Sequence, residues 1–141
     1  MSAVDFFDTN VLVYVFDRTD PRRRSIAEGL LSQALERGSA AISFQVVQET
    51  LNVVTRKIKP ALTAQEAEAT LLGILAPLWR VMPSAALYAH ALRLQEQLAL
   101  SFHDSLIVAA ALEAGCKRLL TEDLQHGQRI EGLRIENPFK G

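Results

Sequence analysis

A single cysteine in 141 residues, Cys116, rules out an internal disulfide and any metal site built on paired thiolates. Lying between Gly115 and Lys117 after an Ala/Leu-rich run, it reads as a small packed residue. An excess of either charge is also missing: 15 Lys and Arg face 16 Asp and Glu, for a formal net charge of −1. No global basic field draws in nucleic acid, so any such contact must be local. Long apolar runs are absent, and stretches such as Leu106 to Leu112 fall far short of the roughly 20 residues that span a bilayer. The N-terminus, Met1-Ser2-Ala3-Val4-Asp5, lacks the basic region that opens a secretory leader. The expectation is a soluble cytoplasmic chain with no membrane partner.

What is present is the composition of a folded protein, 49% hydrophobic and 22% charged. That length is enough to bury about two-thirds of the unfolded chain's surface around one core. With no repeats, low-complexity tracts or linkers, residues 1–141 read as a single domain.

Strand-like and helix-like segments alternate. Val4-Asp5-Phe6-Phe7 is a short apolar strand that delivers Asp8 to the start of a first short helix. Asp20-Pro21 starts a second helix, with Ile26, Leu30, Leu31 and Leu35 on one face and Gly38 at its end. Ala40 to Ser43 is a second strand, and Ser43 is placed to cap a helix over Phe44 to Lys57. Phe44, Val47, Leu51, Val54 and Ile58 mark the inner stripe of that helix. Gln45, Glu49, Asn52 and Arg56 mark a polar one. Thr63 to Glu66 is a capping box for a helix to about Ala76. Trp79 and Val81 centre a short strand between prolines, and Ser84 caps a helix with Leu87, Ala91, Leu94 and Leu98 inward. The apolar helix from Ser101 to Gly115 should be central. Lys117 to Thr121 is a strand followed at once by Glu122 and Asp123. Gly127 and Gly132 bracket a loop, and Leu133-Arg134-Ile135 alternates like an edge strand.

This alternation is that of an α/β fold. In a parallel sheet with right-handed crossovers, the C-terminal ends of the strands share one edge, where the connecting helices begin. Asp8 and Asp123 follow strands, Glu49 lies early in a helix that follows a strand, and Asp104 opens a helix leading back to one. Each acid alone is as readily a helix cap. Together they put four carboxylates on one rim, where like charges raise each other's pKa values unless a cation intervenes. Oxygen-only ligands call for Mg²⁺ or Mn²⁺, since His90, His103 and His126 have no zinc-like spacing. In this light the Asp8 carboxylate is read as holding a metal ion rather than an amide.

The motifs Phe7-Asp8-Thr9-Asn10-Val11-Leu12-Val13-Tyr14, Val46-Val47-Gln48-Glu49, His103-Asp104-Ser105-Leu106-Ile107 and Leu120-Thr121-Glu122-Asp123-Leu124 resemble those of the PIN domain. The chain looks like the VapC type, the toxin ribonuclease of VapBC toxin–antitoxin pairs, and the resemblance covers essentially the whole chain. It implies a three-layer α/β/α sandwich around a mainly parallel sheet of about five strands. It also implies Mg²⁺- or Mn²⁺-dependent endoribonucleolytic cleavage leaving a 5′-phosphate, a homodimer and a VapB-type antitoxin partner. By that resemblance Asp8, Glu49, Asp104 and Asp123 carry the metal site, with Thr9, Asn10 and Thr121 as polar neighbours. Strand parity does not choose between Glu122 and Asp123; the family pattern favours Asp123.

His103 beside Asp104 is a candidate base, although a lone histidine at a helix start is more often a cap or surface residue. Arg22, Arg23 and Arg24, and Arg56, Lys57 and Lys59, are candidate contacts for RNA phosphate or an antitoxin carboxylate. Two other readings compete. A phosphatase with Asp8 as covalent nucleophile usually wants a second Asp two residues on, where this chain has Asn10. A non-catalytic binding module would use its acids only as caps.

Overall fold

The computed structural model describes residues 3–141; Met1 and Ser2, which open the stretch read as lacking a leader, lie outside the described residues. A sheet of six strands forms the centre. In chain order these are β1 (Asp5–Phe7), β2 (Ala40–Ser43), β3 (Trp79–Val81), β4 (Arg118–Leu120), β5 (Arg129–Ile130) and β6 (Leu133–Glu136). Across the sheet the order is β3-β2-β1-β4-β6-β5, parallel throughout except for the antiparallel β5–β6 pair. The helices are α1 (Thr9–Val13), α2 (Pro21–Arg37), α3 (Phe44–Arg56), α4 (Ala64–Thr70), α5 (Ala76–Leu78), α6 (Ala85–Leu98) and α7 (Phe102–Glu113).

Local chemistry accounts for most boundaries. Asp20 accepts the Arg23 N–H and Pro21 opens α2, which ends where Gly38 takes the left-handed conformation at φ 62°. Thr63 and Glu66 exchange both bonds of the capping box. A π-helical turn over Leu71–Leu75 carries that helix on through α5 to Leu78, just past its expected end near Ala76, and the strand follows at Trp79. Ser43 stands at the N-cap of α3 but makes no capping bond, because its hydroxyl is buried without a partner.

α7 buries every residue from Ser105 to Ala111, as its apolar sequence requires. On α2 Leu31 is buried together with Ala27 and Ala34, Ile26 and Leu30 pack half-buried against the core as expected, and Leu35 is exposed instead. The expected edge strand at Leu133 to Ile135 is interior to the sheet. Glu131 at φ 50° and Gly132 at φ 89° make a tight reversal that folds β5 back along it as the true edge. Cys116 is buried, and burial pushes its thiol up to about 12. Among the described residues no helix is long and apolar enough to cross a membrane.

Candidate functional site

β1 lies between β2 and β4, and its last residue delivers Asp8 to the C-terminal edge of the sheet. The Asp8 N–H donates to the Leu120 carbonyl at the end of β4, tying the two strand ends together. Asp8 is 2% exposed. One carboxylate oxygen accepts the Thr9 N–H at 2.7 Å and the other accepts the Thr121 hydroxyl at 2.7 Å. The reading of this group as holding no amide is therefore corrected: Asp8 is the N-cap of α1. Burial pushes its carboxyl up to about 6. The bonds from Thr121 and Thr9 oppose that rise, the Asp123 charge adds to it and His103 eases it.

Thr121 also accepts the Asp123 N–H at 3.0 Å, so Asp123 stands in a bend rather than in the first turn of a helix. Its neighbour Glu122 has other partners. The Glu122 carboxylate accepts the Tyr14 hydroxyl at 2.6 Å and the Arg23 guanidinium at 2.8 Å. Burial, then the bond to Glu122 and its charge, push the Tyr14 phenol up to about 12. Glu122 thus ties the turn that follows α1 to α2, while the Asp123 carboxylate is exposed on the Asp8 side.

Glu49 reaches the same edge from α3. One of its oxygens accepts the Thr9 hydroxyl at 3.0 Å, and the other lies 3.0 Å from His103 Nδ1. Gln45, one turn earlier, is buried rather than on a polar surface stripe. Its amide nitrogen lies 3.2 Å from His103 Nδ1 and 3.3 Å from the His103 carbonyl. One ring nitrogen cannot satisfy both a donor and a carboxylate. Both neighbours are served if Gln45 donates to the carbonyl and His103 Nδ1–H donates to Glu49. Asp104 follows on α7, with its N–H donating to the Ser101 hydroxyl at 3.1 Å. No return bond from its carboxylate completes a capping box, and the group stands half-exposed at the rim.

Two linked networks therefore join three of the four acids: Asp8–Thr121–Asp123, and Thr9–Glu49–His103–Gln45. Asp104 enters only through its neighbour His103. Among the described residues no three His, Cys, Asp or Glu side chains stand close enough to hold an ion as they are placed. The donor chemistry nevertheless fits a hard divalent cation. The acids offer oxygen alone, and among the described residues the buried Asp8 has no lysine or arginine paired with it.

Asn10 lies in α1 with its side-chain oxygen buried and unpartnered. Of the basic candidates, Arg22 donates to the Phe139 carbonyl at 2.6 Å. Arg23 pairs with Asp20 and Glu122 and lies over the Tyr14 and Phe139 rings. Arg24 faces Glu28 at 3.5 Å. Arg56 and Lys57 are exposed at the far end of α3, about 10 Å along the helix from Glu49.

The family model of the PIN domain matches residues 6–129. This chain belongs to the PIN-domain family. The match runs from β1 to β5 and takes in the whole acidic edge. No curated protein matches the chain. Among solved structures, the PIN fold here is similar to a toxin–antitoxin complex from Klebsiella pneumoniae at TM-score 0.67 and 23% identity, covering 97% of this chain and 98% of that one. VapBC2 from Rickettsia felis, bound to a DNA fragment from its promoter, aligns at 0.66 and 22%, covering 95% and 98%. VapC20 from Mycobacterium tuberculosis, described as a sarcin-ricin loop cleaving toxin, aligns at 0.62 and 21%, covering 84% and 91%.

Two parts of this PIN domain's site escape the sequence reading. Gln45 carries a signal, its i, i+4 spacing to Glu49, but amphipathic counting places it outside. The Tyr14–Glu122–Arg23 link spans residues too far apart in sequence to be paired without the fold.

Proposed function

We propose that residues 1–141 act as one PIN domain that hydrolyses RNA phosphodiester bonds with Mg²⁺ or Mn²⁺. In this reading it is the VapC-type toxin of a VapBC pair, acting as a homodimer and restrained by a VapB-type antitoxin. The observation that carries the reading is Asp8, a buried carboxylate at the C-terminal edge of a central parallel strand, with Asp123 adding to its charge burden. A shared fold with toxin–antitoxin complexes supports the toxin and antitoxin roles.

Asp8, Glu49, Asp104 and Asp123 would hold the ion. When bound, it supplies activation of water and stabilisation of charge on the phosphate. Thr9 and Thr121 fix the two oxygens of Asp8 and one of Glu49, and Asn10 offers a further oxygen on the same helix turn. His103, braced by Glu49 and Gln45, is poised to move a proton at the rim. Arg56 and Lys57, free of ion pairs among the described residues, remain available to RNA phosphate or an antitoxin carboxylate. Arg22 and Arg23 are occupied within the chain.

The test is cleavage of total RNA in Mn²⁺ by the wild type, Asp8→Asn and Asp104→Asn. Both variants are expected to lose cleavage while keeping their circular dichroism, and full cleavage by both would sink the reading. Metal at about 100 times its Kd should stabilise the wild type by roughly 2.7 kcal/mol, and Asp8→Asn by far less.

A further inference from the structure

Opposite the acids, at the N-terminal edge of the sheet, lies an open cleft of about 580 Å³ lined by Val4, Lys117, Arg118, Arg129, Gly132 and Arg134. Strand register explains its charge. Arg118 on β4 is paired directly with Arg134 on β6, and Arg134 with Arg129 on β5. Three guanidinium groups therefore form a transverse row across adjacent strands, with Lys117 beside its first member. Like charges directly opposite on neighbouring strands destabilise a sheet, so this row is a cost that packing does not require.

The compensation is incomplete. Asp5 takes two bonds from Arg118 at 2.6 and 2.8 Å, and Glu136 bridges Arg118 at 2.8 Å and Arg134 at 2.5 Å. Arg134 Nε is buried without a hydrogen-bond partner. Lys117 and Arg129 are exposed and form no ion pair among the described residues. Four cations face two carboxylates, in a chain whose net charge is −1.

We propose that this row holds the sugar–phosphate backbone of RNA at the edge remote from the acids. The RNA occupant rests on the ribonuclease reading above; the anionic character of the ligand does not. Arg118 and Arg134 are held by Asp5 and Glu136 and contribute positive field, while the exposed Lys117 and Arg129 are the groups left to meet phosphate directly. An acidic protein segment would need apolar anchors as well, and Val4 is the one apolar side chain lining the cleft. The cleft lies about 13 Å from Asp8 along β1, so an RNA engaging both must wrap the sheet.

The experiment compares wild type with the double variant Lys117→Gln/Arg129→Gln, each checked by circular dichroism. Binding of a fluorescein-labelled single-stranded RNA is followed by anisotropy in EDTA at several salt concentrations. Cleavage of total RNA by the wild type in Mn²⁺ is read separately. The variant should bind RNA several-fold more weakly, with a log K against log salt slope shallower by about 1.4, near 0.7 for each lost phosphate contact. Unchanged affinity and slope overturn the proposal, and do so without touching the nuclease reading if the wild type cleaves. Lost affinity in the variant with no cleavage by the wild type leaves the cleft standing and removes the nuclease. If the variant loses binding to poly-L-glutamate but keeps RNA, the cleft serves an acidic protein and the proposal is wrong.

Discussion

The Thr121 hydroxyl donates to Asp8 across 2.7 Å while accepting the Asp123 N–H at 3.0 Å. One side chain on β4's exit thus holds down one acid and positions the backbone of a second.

Thr121→Val keeps the shape and removes both bonds. It should destabilise the fold by about 1–3 kcal/mol, the cost of leaving a buried acceptor unpaired. Because the Thr121 bond lowers the Asp8 pKa, its loss raises it, and the acid limb of the RNA-cleavage pH profile should move to higher pH. A thermal melt and that profile measure the two effects; a melt that drops with an unmoved acid limb would show that Thr121 acts on packing alone.

Asp8 itself sets a pH dependence of stability in EDTA. Its folded pKa of about 6 lies above the ordinary value of 3.8, so between those two pH values the folded protein holds a proton that the unfolded chain has released. Stability therefore falls as pH rises through that window, by roughly 3 kcal/mol from this group when the pKa difference is converted. Asp8→Asn cannot show this fall. Urea denaturation of both proteins at pH 4 and pH 7 should find the variant the more stable at pH 7. Parallel pH profiles for the two would exclude the raised pKa.

Glu122 and Asp123 should separate cleanly. Glu122→Gln weakens the ion pair to Arg23 and the bond from Tyr14, so it should lower the melting temperature while RNA cleavage persists. Asp123→Asn should leave the melt nearly unchanged and remove cleavage. The reverse pattern would move the rim carboxylate to Glu122.

Much of this geometry is legible in the sequence because local chemistry controls it. A strand that ends in an acid put Asp8 at the exit of β1 and Asp123 near that of β4, and the capping signals at Asp20-Pro21 and Thr63 to Glu66 started helices where expected. The misreadings have a common cause, in that neighbours distant in sequence decide which side of an element is wet. Gln45 is polar by type and buried by position, because His103 on α7 closes over the start of α3. Leu35 is apolar and exposed, while Ile26, Leu30 and Leu31 of the same stripe pack on the core. The β5–β6 hairpin hides in a stretch with too few residues to show an alternating pattern. Strand parity is silent on Glu122 against Asp123, because the chain bends immediately after Thr121.

The buried sheath of α7 has a mechanical corollary. A helix with one wet face can roll and slide a little on its neighbours, but one enclosed all round from Ser105 to Ala111 has a single seating. His103 and Asp104 ride on the free tip of that rod. Their aim is set by Ile107, Val108 and the alanines behind them, so enlarging one of those alanines should misdirect the rim before it unfolds the protein.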